Sequence, residues 1–329
     1  MGRWRSRQPN ARDHELAAGP GDEPAAGPRH RRAPLAAVPP AALVLTGVFS
    51  VQFGAGLAAR LFAQIAPAAV NGLRLWTSAV VMAVAGARPL RTALSGLMRR
   101  RAWRDAAVVA GFGLTLAVMN FSIYQSFARI PLGIAVTVEF LGPLGLAVAS
   151  SRRLIDLLWV GLAGTGVALL ARGAAVAGGH GTVAIGLAFG LLAAVSWAGY
   201  ILLSKATGQR FPGSTGLTIA MVVAAVVITP AGVAAGRGAL LRPGILLTGL
   251  GIGLLSSIIP YSLEMEALRR IPPRVFGIWM SLEPAVAALV GLVLLGQALA
   301  VREWLAIGCV MIACAGAARG SREPQAPEA

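Results

Sequence analysis

The chain has 329 residues, 56% of them hydrophobic and 13% charged, and a formal net charge of +16. That length would allow two soluble domains, but apolar runs of about 20 residues recur from about residue 40 to residue 318, and no soluble fold needs so many. The charge does not indicate nucleic acid, because 28 of the 29 basic residues are arginines, Lys205 is the single lysine, and they gather between the apolar runs.

In chain order, residues 1–38 are rich in Arg, Pro, Ala and Gly, lack a periodic apolar face, and are expected to form a disordered cytoplasmic tail. The polar stretch is too long for a secretory signal peptide and ends in no small-residue cleavage site. Ten spans are then expected, at about 40–62, 68–87, 105–127, 132–149, 155–171, 183–203, 217–235, 245–268, 275–296 and 303–318. The tenth is short for a crossing. A basic loop, 88–104, is expected between spans two and three, and a Gly-rich loop around 178–181 divides the protein. With the amino terminus inside, 22 basic residues fall in inside segments and 6 in outside loops, and Arg74 alone lies within a span. That asymmetry favours ten crossings with both termini in the cytoplasm.

The chain also reads as one unit written twice. A shift of 141 positions lays Ile271-Pro272 over Ile130-Pro131 and Pro284 over Pro143. Each copy carries an acid at membrane depth, Glu139 and Glu283, about one helical turn out of register. Span four falls on span nine, five crossings later. Five is odd, so the copies cross in opposite senses, the pattern of an inverted repeat with a site at the repeat interface near the midplane. Gly111/Gly113, Gly161/Gly164/Gly166, Gly251/Gly253 and Gly291/Gly296 are expected to be close-packing surfaces. Cys309 and Cys314, five apart in the last run, read as small packing residues, with no disulfide or metal site expected.

The motifs resemble the drug/metabolite transporter superfamily, EamA-type group, in its threonine/homoserine exporter (RhtA-type) branch. The resembling residues are Pro131-Leu-Gly-Ile-Ala-Val-Thr-Val-Glu139-Phe-Leu-Gly-Pro143 with Ser150-Ser-Arg-Arg153, then Pro260-Tyr-Ser-Leu-Glu264-Met, Phe276-Gly and Ser281-Leu-Glu283-Pro284-Ala. The likeness covers roughly 43–317 and is weak in span one. It implies an all-α integral membrane fold of ten helices in two inverted five-helix repeats, at 39–172 and 183–318, with 319–329 a short cytoplasmic tail. It further implies a central polar pathway, alternating access, and export of small amino acids or related metabolites across the cell's inner or plasma membrane. Another metabolite or a drug-like compound remains the alternative cargo. Many relatives carry an acid after the Leu-Gly that ends span nine, where this chain has Gln297.

A charge at bilayer depth costs about 3 kcal/mol on insertion scales and usually faces a partner or a cavity. Arg74, Glu139, Glu264 and Glu283 are such residues; Glu266, near the inner end of span eight, is expected to reach water and is left out of the site. Two readings compete for Arg74: an Arg–Glu pair that locks helices, or a site where a zwitterion's carboxylate meets Arg74 and its ammonium meets an acid. Asn120 and Tyr124 share a face of span three, Trp197 lies with Tyr200 in span six, and Tyr261 is one turn from Glu264. Arg74, Asn120, Tyr124, Glu139, Trp197, Tyr261, Glu264 and Glu283 are therefore the candidate substrate residues. By repeat position, Glu139 and Glu283 are the candidates for carrying a proton, if export is proton-driven. No catalytic residue, metal site or cofactor is expected: His14 and His30 lie in the tail and His180 in an exposed loop. A membrane-embedded enzyme and a non-transporting scaffold are the rival classes. The expected partners are a small-molecule substrate and the lipid bilayer, with no nucleic acid and a homodimer left open.

Overall fold

The computed structural model describes residues 38–99, 102–150, 154–177 and 180–320, which are almost wholly helical, with no strand among them. Residues 1–37 of the expected tail 1–38, residues 100–101 of the basic loop, Ser151, Arg152 and Arg153 of the fourth-span motif, Gly178 and Gly179 of the dividing loop, and residues 321–329 lie outside the described residues. Among the described residues, nine helical stretches are long and apolar enough to cross a membrane. The last of them, Val301–Gly320, is longer than expected. The fifth expected span corresponds to a shorter apolar stretch, Ile155–Leu170.

The first half runs through α1 (Pro40–Leu61), α2 (Pro67–Ala85), α3 (Ala87–Arg99), α4 (Trp103–Phe127), α5 (Leu132–Glu139), α6 (Leu141–Ala149) and α7 (Ile155–Ala177). The second runs through α8 (His180–Gly208), α9 (Thr215–Gly236), α10 (Pro243–Gly253), α11 (Ile259–Leu268), α12 (Pro273–Met280), α13 (Glu283–Leu295) and α14 (Val301–Gly320). Proline opens α1, α2, α10 and α12, where a missing N–H costs nothing because first-turn amides have no intrahelical acceptor.

Two expectations are corrected. The basic loop 88–104 contains α3, because Leu90, Ala93 and Leu97 recur at helical spacing beneath the arginines and pack on Val109, Phe112, Phe211 and Ile219. His180 opens α8 and is not in a loop.

Prolines break three of the spans. A proline leaves the carbonyl four residues earlier without its helical donor and clashes with it. Pro143 and Pro284 do this to Glu139 and Met280, and α5 and α12 end at those residues. Glu283 therefore sits in the first turn of a new helix, α13, and not in the middle of a continuous one. Between α10 and α11 the chain takes a π turn, Leu254–Ile258, just before Pro260. Such turns are rare and concentrate at functional sites.

The helices pack α4 on α8 and α9, α2 on α9, α7 on α14, α1 on α11 and α13, and α5 on α13. Leu75, Leu116, Ala117, Met221 and Ala224 fill the seam among α2, α4 and α9. Gly253 sets one close approach: a Cβ there would lie 2.6 Å from Thr77 Cβ and 3.2 Å from the Arg74 carbonyl, so only glycine brings α10 this close to α2. By contrast, Gly111, Gly161, Gly164 and Gly251 would meet nothing within 4 Å, and Gly296 ends α13 in the left-handed conformation at φ 66°.

Candidate functional site

The proline breaks converge on a cavity of about 780 Å³. Its wall draws on α1, α2, α4, α5, α6, α8, the π turn, and α11 to α14. Arg74, Asn120, Tyr124, Glu139, Trp197, Tyr261, Glu264 and Glu283 all line it.

Arg74 is held by neutral groups. One guanidinium nitrogen donates to Asn120 Oδ1 at 2.5 Å and another to the Ser256 carbonyl at 3.0 Å. Its Cζ lies 5.7 Å from the centre of the Tyr124 ring, a cation–π contact. Asn120 is oriented for this by donating its own amide to the Leu116 carbonyl at 2.8 Å. The Ser256 carbonyl is available because Pro260, four residues on, has no N–H. The Leu255 carbonyl, five residues before Pro260, is likewise released and accepts from Ser50 Oγ at 2.7 Å. The π turn thus offers two backbone acceptors to side chains of α1 and α2.

The expected alternative of an Arg74–Glu lock is corrected: among the described residues the ion pairs are Asp105–Arg210, Glu266–Arg269 and Glu266–Arg270. The acids of the cavity instead stand apart from Arg74. Glu264 and Glu139 have no hydrogen-bond partner among the described residues, and Glu264 packs beside Gly47 of α1, its Oε1 3.7 Å from where a Cβ would stand. Glu283 is buried; its Oε1 accepts from Gln52 Nε2 at 2.7 Å, while its Oε2 has no partner. The first turn of α13 favours a negative charge there. Trp197 meets Phe140, at the break between α5 and α6, edge to face with ring centres 4.9 Å apart. Tyr261 and Tyr200 close the side toward the core of α2, α4 and α9. Glu266 is engaged with Arg269 and Arg270 at the end of α11.

Gln52, Ser256 and Arg274 also line the cavity and were missed in the sequence. Gln52 had a visible signal, a lone amide in an apolar run. Ser256 acts through its carbonyl, so its side chain gave no sign, and Arg274 reads as an ordinary loop charge.

The cavity reaches the helix ends. Ser150, Leu268, Pro273, Arg274 and Ala318 line one end, at the termini of α6, α11, α12 and α14. Away from it, Gln297 Oε1 accepts the Leu132 N–H at 2.9 Å, Arg60 Nε donates to the Leu294 carbonyl at 2.7 Å, and Gly133 of α5 abuts Ala288 of α13.

Residues 184–319 match the EamA-like transporter family. The chain is 37% identical over 278 residues to the threonine/homoserine exporter RhtA of Escherichia coli (strain K12), covering 84% of this chain and 90% of that protein. It is 37% identical over 288 residues to the protein of the same name from Salmonella typhimurium (strain SL1344), covering 87% and 94%. A solved crystal structure, 19% identical, superposes with a TM-score of 0.56 over 84% of this chain and 97% of its own, which shows a common fold.

Proposed function

The chain belongs to the EamA-like transporter family, and from that premise we propose that it exports small zwitterionic amino acids of the threonine/homoserine kind from the cell across the inner or plasma membrane. The observation that carries this reading is the state of Arg74. Its guanidinium is fixed by an amide oxygen and a carbonyl and forms no ion pair among the described residues, in the same cavity as Glu264. A free amino acid must shed water from both of its charges to cross, and a separated cation and anion at membrane depth offset that cost, where an apolar path does not. Asn120, Tyr124, Tyr261 and Trp197 form the walls, and Glu139 and Glu283 complete the acidic side.

Transport proceeds by alternating access between two inverted repeats, 39–172 and 183–318, with ten crossings and both termini in the cytoplasm. Support comes from the paired breaks at Pro143 and Pro284 in spans four and nine, related by the 141-residue shift. Ten alternating crossings also place the lined ends of α6, α11 and α14 on the cytoplasmic side, so the cavity faces inward. The test is accumulation of labelled threonine by inside-out vesicles. Wild-type protein accumulates it above vesicles without the protein, and Arg74→Met abolishes the signal at equal membrane abundance. Equal uptake with and without the protein rejects the reading.

A further inference from the structure

One cation of the cavity wall takes no part in the zwitterion site. Arg274 stands in the first turn of α12, half-buried, at the cavity end it shares with Ser150, Leu268 and Pro273. Arg269 and Arg270, at the neighbouring end of α11, are engaged with Glu266. Arg274 makes no ion pair and no hydrogen bond among the described residues. Its Nε is enclosed, while the two nitrogens at the tip of the fork stay accessible. The location is a poor one for a bare cation. A helix's first turn already carries partial positive charge, and no acid stands in that turn to offset it. Nor does the repeated unit demand a charge there. The 141-residue shift lays Arg274 over Gly133, where a Cβ would lie 2.6 Å from Ala288 Cβ.

We infer that Arg274 is the entry station of the pathway: its two tip nitrogens take the carboxylate of the arriving amino acid before that carboxylate passes to Arg74. This rests on the amino-acid export reading and adds where the cargo is first held and which end of it leads. A guanidinium edge offers two parallel N–H donors that match the two oxygens of a carboxylate. Arg74 has already given donors to Asn120 and to the Ser256 carbonyl, so its fork is partly occupied, whereas Arg274 presents its tip unoccupied. The substrate's ammonium is repelled by Arg274 and left to the acids of the wall, Glu139, Glu264 and Glu283. The amino acid therefore enters carboxylate first, in the orientation that Arg74 requires.

The experiment measures KM and maximal rate for labelled threonine in inside-out vesicles carrying the full chain. Arg274→Gln raises KM about tenfold and leaves the maximal rate within about twofold, the pattern of a lost binding contact. Arg274→Lys keeps the charge and returns KM to within about threefold of wild type. Arg274→Met serves in place of Arg274→Gln if the latter is absent from the membrane. Arg269→Gln removes a charge at the same end from a side chain that is 71% exposed and outside the cavity wall, and it leaves KM unchanged. A wild-type KM in Arg274→Gln overturns the inference and leaves amino-acid export standing. An equal rise in Arg269→Gln also overturns it, by assigning the effect to the summed charge of that end. So does a fall in maximal rate with KM unmoved, which would assign Arg274 to the conformational change. Absence of threonine flux in the wild type sinks the export reading itself, and the entry station with it.

Discussion

Arg74 illustrates what a single side chain contributes. Because its partners are the Asn120 oxygen and the Ser256 carbonyl, Arg74→Met leaves two neutral acceptors unmet and costs about 1–3 kcal/mol per buried group, not the larger penalty of an orphaned buried charge. The variant is therefore expected to reach the membrane with a lowered melting temperature and no threonine flux, read by thermal unfolding in detergent alongside uptake. The double variant Arg74→Met with Glu264→Gln separates site from scaffold: it should fold and stay inactive. Restored transport in it would mean that the two residues serve only each other. Glu266 is the contrast. Its Arg269 partner is 71% exposed, but Arg270 and Glu266 itself are 22% and 20% exposed and hydrogen-bonded, so Glu266→Gln should cost about 1–3 kcal/mol of stability and leave flux unchanged.

Among the elements, the π turn before Pro260 is the most consequential. It exists because residue 260 has no N–H, and its free carbonyls position Arg74 from α2 and Ser50 from α1. Pro260→Ala returns an amide donor that competes with Arg74 for the Ser256 carbonyl and lets α10 run into α11 as one regular helix. The expected result is unchanged or raised stability with threonine flux reduced about tenfold, since removing one charge-assisted hydrogen bond is worth about 1.5 kcal/mol or more. Undiminished flux would show that Arg74 is placed by Asn120 alone. The prolines, and the glycine that admits α10 beside Arg74, are features of composition whose meaning lies in geometry. Pro143, Pro260 and Pro284 are visible in the sequence, but the breaks they cause appear only in the helices themselves. Which carbonyls they release, and which side chains take them, depends on the neighbouring helices.

For the whole molecule, the reach of the cavity to the helix ends yields a directional forecast. Ser150, Leu268 and Arg274 line it at the ends of α6, α11 and α12. With Cys309→Ser and Cys314→Ser removing both native thiols, Ser150→Cys should react with a membrane-impermeant maleimide from the cytoplasmic side, and excess threonine should slow that reaction. Labelling only from the outside would reverse the assigned orientation. A cytoplasm-dependent reporter fused after Ala329 should be active and one inserted after Gly178 inactive; activity at both would remove the inverted repeat. Composition, span length and the arginine distribution sufficed to determine a multi-pass helical membrane protein, because lipid leaves few ways to satisfy backbone amides and positive charge resists translocation. The doubled Ile-Pro and Pro signals marked the repeat, whereas spans four and nine were expected as continuous crossings and the structure breaks both. The eight polar residues were legible as costly groups at membrane depth, and they do line one cavity. Only the tertiary structure decided that Arg74 pairs with Asn120 and a backbone carbonyl and forms no ion pair with an acid, and that Gln52 belongs beside Glu283. Those pairings join α1 to α13 and α2 to α4 and the π turn, across up to 231 positions of chain. Helical periodicity assigns a face to each residue but not the partner that face meets.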